Sequence, residues 1–253
     1  MFFGMRSIKN MLPKLISFFI KVNDAEINIK FSYSIFLRTF NYFYLSNKYI
    51  PEKILVLNNS NSIITGLLWL LIGSNKIYIL NAFTDFKQLK KVFNSASKYI
   101  LNKDFDKLIL INDKLNLDVY QKLFLLHDNS QILSDRITLI NVHLDLLIDQ
   151  NTSSLIETYN DSDLKSDHFD FIISINYNDD RQSHLPYLFN RILKPSAYLY
   201  YYISSKFTSN NLMHVEDIKS KHLNMFNIIY DNKVIYFRKF SSLIKEHTLV
   251  LKK

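Results

Sequence analysis

The run Ile54 to Leu68, ILVLNNSNSIITGLL, restricts the fold of this chain more than any other stretch. Pro51 sets it up, and Lys53 to Leu57 is too short and too β-branched for a helix. Its unbroken apolar character is that of a strand covered on both faces, as in a parallel sheet. A polar turn follows, Asn58-Asn59-Ser60-Asn61-Ser62, and the pattern is helical from Asn61 to Ile72. Gly73 stands where a C-terminal cap is expected, with Asn61 or Ser62 as the N-cap. In open α/β sheets such a strand, turn and helix is where ligands bind, so the chemistry of the turn decides what the chain can hold.

The elements that follow extend the same architecture. KIYILNAF (Lys76 to Phe83) reads as a second strand. Asp85 to Tyr99 reads as a helix with Phe86, Leu89, Val92 and Phe93 on one face. Strand, helix, strand, helix at this spacing is a βαβ pattern with a right-handed crossover. DKLILIND (Asp106 to Asp113) is open between a further strand and the end of a helical insertion, and Leu115 to His127 looks helical. Arg136 to Leu147 starts as a strand ending near Asn141, and Asn151 to His168 is a polar loop with a short helix. FDFIISI (Phe169 to Ile175) is a central parallel strand, followed by a helix from about His184 to Leu193. A turn at Lys194-Pro195-Ser196-Ala197 then leads into the strand YLYYYIS. Two strand-like runs about Asp231-Asn232 predict a closing hairpin. Without a repeat or a linker, the chain reads as one α/β domain, residues 51–253, preceded by an N-terminal helical cap, residues 1–50.

Composition bounds the chemistry. The 253 residues are 48% hydrophobic, enough for a substantial core. The absence of cysteine excludes disulfides, thiolate nucleophiles and cysteine-ligated metals, and points to a reducing, cytoplasmic setting. The net charge of +8 is carried by 25 Lys and 6 Arg that form no long run. With only 3 Gly and 4 Ala, the usage fits AT-biased coding, which erodes glycines whatever the function. The first 22 residues mix basic and apolar positions around Pro13. They read as a packing helix, with an interfacial membrane contact as the alternative.

Two segments together carry a resemblance: ILVLNNSNSIITGLLWLLIGSNKIYILNAF and FDFIISINYNDDRQSHLPYLFNRILKPSAYLYYYI. They resemble the class I S-adenosylmethionine-dependent methyltransferases over roughly Pro51 to Phe240. Phe169-Asp170-Phe171-Ile172-Ile173-Ser174 and Arg191-Ile192-Leu193-Lys194-Pro195 match the family's FDLIxS and RVLKPGG, with Ser196-Ala197 in place of the double glycine. The resemblance implies a Rossmann-like, mostly parallel seven-stranded sheet with helices on both faces and an antiparallel C-terminal hairpin. It also implies S-adenosylmethionine as cofactor, held by Asn58, Ser60, Asn61, Ser62, Asn81, Ala82 and Phe83. Four positions depart from the family: Val56 replaces the first acid, Asn58 and Ser60 replace two glycines, and Asn81 replaces the ribose acid. Asn tolerates left-handed backbone, and serine hydroxyls serve a carboxylate near a helix N-terminus. Losing the charged ribose acceptor costs on the order of 1 kcal/mol or more.

The resemblance implies a methyltransferase acting on a small molecule or a glycan- or lipid-linked intermediate. The alternative is a methyltransferase-like binding or scaffold protein without catalysis. His143 and His184 are the candidate bases, each weighed against an ordinary packing or surface role. Asp179-Asp180-Arg181 reads as solvated loop, and Tyr198, Tyr200, Tyr201, Tyr202 and Trp69 as packing residues. No His, Asp or Glu set has metal-ligand spacing. Nucleic acid ranks last as a partner, because neither an Asn-Pro-Pro-Tyr motif nor a separate recognition domain is present.

Overall fold

A computed structural model of the chain describes residues 29–43, 49–57, 60–80, 85–104, 108, 129–175, 185–206, 220, 224–238 and 242–253. Within these, α1 spans residues 29–43. It is followed by β1 (Lys53–Leu57), α2 (Ser60–Ile72), β2 (Lys76–Leu80), α3 (Phe86–Leu101) and α4 (Ser130–Ile148). Next come β3 (Ile156–Tyr159), a 3-10 turn at Asp161–Asp163, β4 (Phe169–Ile175) and α5 (Leu185–Ile192). The strands β5 (Leu193–Lys206), β6 (Asn227–Arg238) and β7 (Ser242–Lys252) close the chain.

The seven strands form one sheet in the order β3-β2-β1-β4-β5-β7-β6. The first five run parallel, and β7 pairs antiparallel with both β5 and β6. The continuous apolar runs are explained by burial of both faces. Ile54, Val56, Ile77, Ile79, Phe171 and Ile173 pack under α1, α2, α3 and α4. Leu55, Leu57, Tyr78, Leu80, Ile172 and Leu199 form a second core under α5. The four tyrosines of β5 are split between the two, with Tyr201 on the α5 face, and all are buried. α2 is buried almost all round, and Gly73 at φ 127° terminates it as Ser74 N–H reaches Trp69 O at 3.0 Å. Gly66 lets it lie close on the sheet: a Cβ there would stand 3.0 Å from Val56 Cγ1.

Four expectations need correction. Arg136 to Asn141 belongs to α4, not to a strand. The β-branched run favours extension locally, but Leu133, Ile140 and Leu144 recur at helical spacing toward the core. Asn129 caps the helix by accepting from Ile132 N–H, and Arg136 Nη1 donates to Leu71 O at 3.2 Å. The third strand lies instead within the supposed loop, at Ile156–Tyr159, an edge strand of which only Ile156 is buried. Asp231-Asn232 is no turn, since both residues pair with β7 and the hairpin closes between Arg238 and Ser242. Nor does Lys194-Pro195-Ser196-Ala197 precede β5. Leu193 already pairs with Phe169 and Tyr198 with Phe171, so the four residues bulge out of the ladder with β4, while Ser196 and Ala197 exchange backbone hydrogen bonds with Lys253 just beyond β7. DKLILIND, apart from Leu108, and residues 115–127 and 1–22 lie outside the described residues.

That bulge holds Ser196 at φ 66°, the left-handed region where the family has glycine. Ser196→Gly relieves this strain and loses part of the gain to unfolded-chain entropy. A net stabilisation of about 0.5–1 kcal/mol is expected, read as a rise in the thermal midpoint. An unchanged or lowered midpoint would show that the backbone there carries no strain.

Candidate functional site

Strand order locates the crevice. The chain leaves β1 toward β2 on one side and later returns to β4 on the other, so the switch point lies between β1 and β4. Ligands of open α/β sheets sit outside the carboxyl ends of the strands at that point. The described residues there are the ends of β1, β2 and β4 and the first turn of α2, Ser60-Asn61-Ser62. Asn58, Asn81, Ala82, Phe83, His184 and Asp179-Asp180-Arg181 lie outside the described residues.

The first turn of α2 is a set of forward-pointing N–H groups with a positive partial charge. The helix begins at Ser60, so Asn61 and Ser62 are inside it and not its N-cap. Ser62 is fully buried, and its hydroxyl has no hydrogen-bond partner among the described residues. Ser174, the penultimate residue of β4, is likewise buried and unpartnered among the described residues, but it stands in register with Tyr201 and so belongs to the α5 face, across the sheet from α2. A buried hydroxyl without a partner is costly, and Ser62 holds one at the first turn of α2. Asn61 is held from the other side: its Oδ1 accepts from Ser32 Oγ of α1 at 3.0 Å. Thr65 Oγ1 lies 3.2 Å from Ser32 O and 2.8 Å from Asn61 O, completing a latch between α1 and α2. Sequence reasoning missed Ser32 and Thr65, because a contact across 29 or 33 residues has no local signal.

Val56 turns away from any ligand. It is fully buried in the core between β1, β2 and α2, against the space left by Gly66. His143 lies on α4, where its Nδ1 is 3.1 Å from Ser153 Oγ. Ser153 accepts from the N–H groups of Leu155 and Ile156 at the amino end of β3, the opposite edge from the crevice.

The two family-like segments meet at that same amino edge. Asp170 Oδ1 pairs with Lys194 Nζ at 2.6 Å, and its Oδ2 accepts from Lys53 N–H at 2.9 Å, which ties β4 to β5 and β1. The acid of FDFIIS and the lysine of LKP are thus a structural brace. Beside it, Tyr78 OH is 3.3 Å from His168 Nε2, while Glu157 accepts from Lys76 and, at 2.7 Å, from Tyr159 OH. Burial and the charges of Lys53, Lys165 and Lys194 push His168 below its ordinary value. Burial works to raise the Glu157 carboxyl, but hydrogen bonds from Lys76 and Tyr159 outweigh it and hold the group low. That bond, with burial, pushes the Tyr159 phenol up to about 12. This cluster covers β2 and β3 where the short β3–β4 connection supplies no α-helix.

Five parallel strands in the order 3-2-1-4-5, extended by a reversed β7 and an outer β6, distinguish this sheet from other doubly wound ones. The chain has the Rossmann-like fold of the class I methyltransferases. No protein-family model matches the sequence, and no curated protein does. Among solved structures it is similar to a SAM-dependent methyltransferase from Methanosarcina mazei, at 13% identity over 83% of this chain and 97% of that one, TM-score 0.43. It is also similar to the N-methyltransferase NodS from Bradyrhizobium japonicum, at 7% identity over 86% of this chain and 96% of that one, TM-score 0.42. The fold assignment rests on the strand order. Among the described residues no helix is long and apolar enough to cross a membrane.

Proposed function

We propose that the chain is an S-adenosylmethionine-dependent methyltransferase, acting in the cytoplasm on a small molecule or a glycan- or lipid-linked intermediate. The observation that carries this reading is the first turn of α2 at the carboxyl edge of β1, with the buried Ser62 hydroxyl unpartnered among the described residues. A ligand carrying a carboxylate fits there, since helix N–H groups and a serine hydroxyl are donors of the right charge preference. Ser60, Asn61 and Ser62 would hold the amino-acid end, and Asn58, Asn81, Ala82 and Phe83 the nucleoside. Bound cofactor supplies an electrophilic methyl group on a sulfonium. The chain's part is to orient the acceptor in line and to exclude water. His143 is at the wrong edge to serve as a base, which leaves His184 as the candidate. In this reading residues 1–50 are a helical cap on the domain of residues 51–253, and α1 is the part of the cap that latches α2.

A second reading, a methyltransferase-like binding or scaffold protein, is favoured by a different observation. Val56 is committed to the core, and the Asn61 carbonyl is committed to Ser32. Calorimetric titration with S-adenosylmethionine and S-adenosylhomocysteine separates the two. Binding is expected, and it should weaken in Ser62→Ala without loss of stability. Ligand at about 100 times its dissociation constant should raise unfolding stability by about 2.7 kcal/mol. Absence of heat and of thermal stabilisation at millimolar ligand would leave the scaffold reading standing alone.

A further inference from the structure

The outward face of α3 carries charge that the crevice does not use. Between Phe86 and Leu101 there are four lysines and no acid. Leu89, Phe93, Ala96 and Ile100 turn to the core, while Lys87, Lys91, Asn94, Ser95 and Lys98 are exposed. Positions 87, 91, 94 and 98 recur at helical spacing along one stripe, about 16 Å long at 1.5 Å rise per residue. The stripe is a shallow, open surface lined by Lys87, Lys90, Lys91, Asn94, Ser95 and Lys98. Lys90 at its flank is paired with Asp145, whereas among the described residues Lys87, Lys91 and Lys98 have no ion-pair partner. With four lysines and no acid, α3 turns a stripe of a single sign of charge outward, which attracts an anionic partner.

We propose that this face of α3 binds nucleic acid through its phosphodiester backbone. A ladder of lysines with the Asn94 amide between them provides contacts to phosphate and sugar, the sequence-independent part of nucleic-acid recognition. No aromatic side chain is exposed on the stripe, so bases are not stacked there. An anionic membrane fits less well. Interfacial helices insert apolar side chains, whereas those of α3 pack on the core, Phe86, Val92 and Tyr99 partly buried, and only Leu101 is exposed. The stripe begins just after β2, so its amino-terminal end stands at the carboxyl edge of the sheet, where the crevice opens. The inference is independent of cofactor binding.

The test is fluorescence anisotropy of the full chain with a labelled oligouridylate across a salt series. Wild type is expected to bind with affinity falling steeply from about 50 to 200 mM salt. In K87Q/K91Q/K98Q the low-salt affinity should fall at least about tenfold, and the slope of log K against log salt should flatten by about 2, three contacts at about 0.7 each. The corresponding triple arginine variant should bind as wild type does. Unchanged circular dichroism and thermal midpoint would show that the glutamine variant is folded. No binding by wild type, or an unchanged slope in the glutamine variant, would overturn the proposal. So would cosedimentation with phosphatidylserine vesicles in the absence of oligonucleotide binding, which would assign the face to a membrane.

Discussion

Val56→Asp is expected to destabilise the protein by about 3–5 kcal/mol near neutral pH and to bring no gain in cofactor binding. The substitution restores the acid that the methyltransferase pattern has at this position. Yet the side chain of Val56 is fully buried in a core of Ile54, Ile77, Ile79 and α2, with Gly66 admitting it at close range. A carboxylate introduced there has no hydrogen-bonding partner, and an uncompensated buried charge carries a penalty of this size. Val56→Ala separates the charge from the lost packing. Two fewer carbons at about 0.8 kcal/mol each, with a small cavity, give about 2 kcal/mol. Burial raises the folded-state pKa of the introduced carboxyl above its unfolded value of about 3.9. A raised group contributes stability below the unfolded value and loses it as pH rises through the folded one. The deficit against wild type should therefore shrink on acidification. Urea unfolding at two pH values measures this, with calorimetry alongside. A variant as stable as wild type that binds S-adenosylmethionine more tightly would mean that position 56 faces the ligand.

The same residue shows what the sequence could and could not reveal. β1, β2 and β4 were legible because a parallel strand covered on both faces is apolar at every position, which leaves little to misread. α4 was not, because Ile137, Thr138 and Leu139 have local strand character, and only packing on α3 and α2 makes them helical. β3 has one buried side chain in four residues, too little signal to mark a strand. The Asp231-Asn232 pair has turn chemistry that eleven paired residues of β7, with Leu249 and Thr248 opposite the pair, override. At the candidate site, alignment to a motif put Ser60 and Ser62 at the carboxyl edge. It could not tell that the Ser62 hydroxyl has no partner among the described residues or that Asn61 is engaged by Ser32, since both depend on elements far apart in the chain. Lysines that form no run in sequence become a stripe only once a helix brings positions 87, 91 and 98 to one face.

Trp69→Ala should remove about 3–5 kcal/mol, the range for truncating the largest side chains in a core. Trp69 is completely buried, and its indole meets Phe36, Phe40 and Phe43 of α1 and Phe171 of β4. Its Nε1–H donates to Thr39 Oγ1 at 3.0 Å, so one side chain on α2 joins α1 to the centre of the sheet. Set against a total stability of about 5–15 kcal/mol for a domain, this loss is enough to populate unfolded chain at physiological temperature. Trp69→Phe keeps most of the ring packing. It leaves Thr39 Oγ1 still donating to Phe36 O at 2.8 Å, so a smaller cost of about 1–2 kcal/mol is expected. Because Trp69 is the chain's only tryptophan, its emission in the wild type reports the docking of α1 directly during urea unfolding. The docking matters for the site as well as for the fold. α1 holds the first turn of α2 through Ser32, Asn61 and Thr65, so loosening it lets that turn shift and misplaces the N–H groups that a carboxylate would use. In Ser32→Ala, which removes only the latch to Asn61, any cofactor affinity should change while stability moves by no more than about 1 kcal/mol. In Trp69→Ala both should fall together. If Trp69→Ala instead left stability within about 1 kcal/mol of wild type, α1 would be an appendage on the sheet and not part of the core that positions α2.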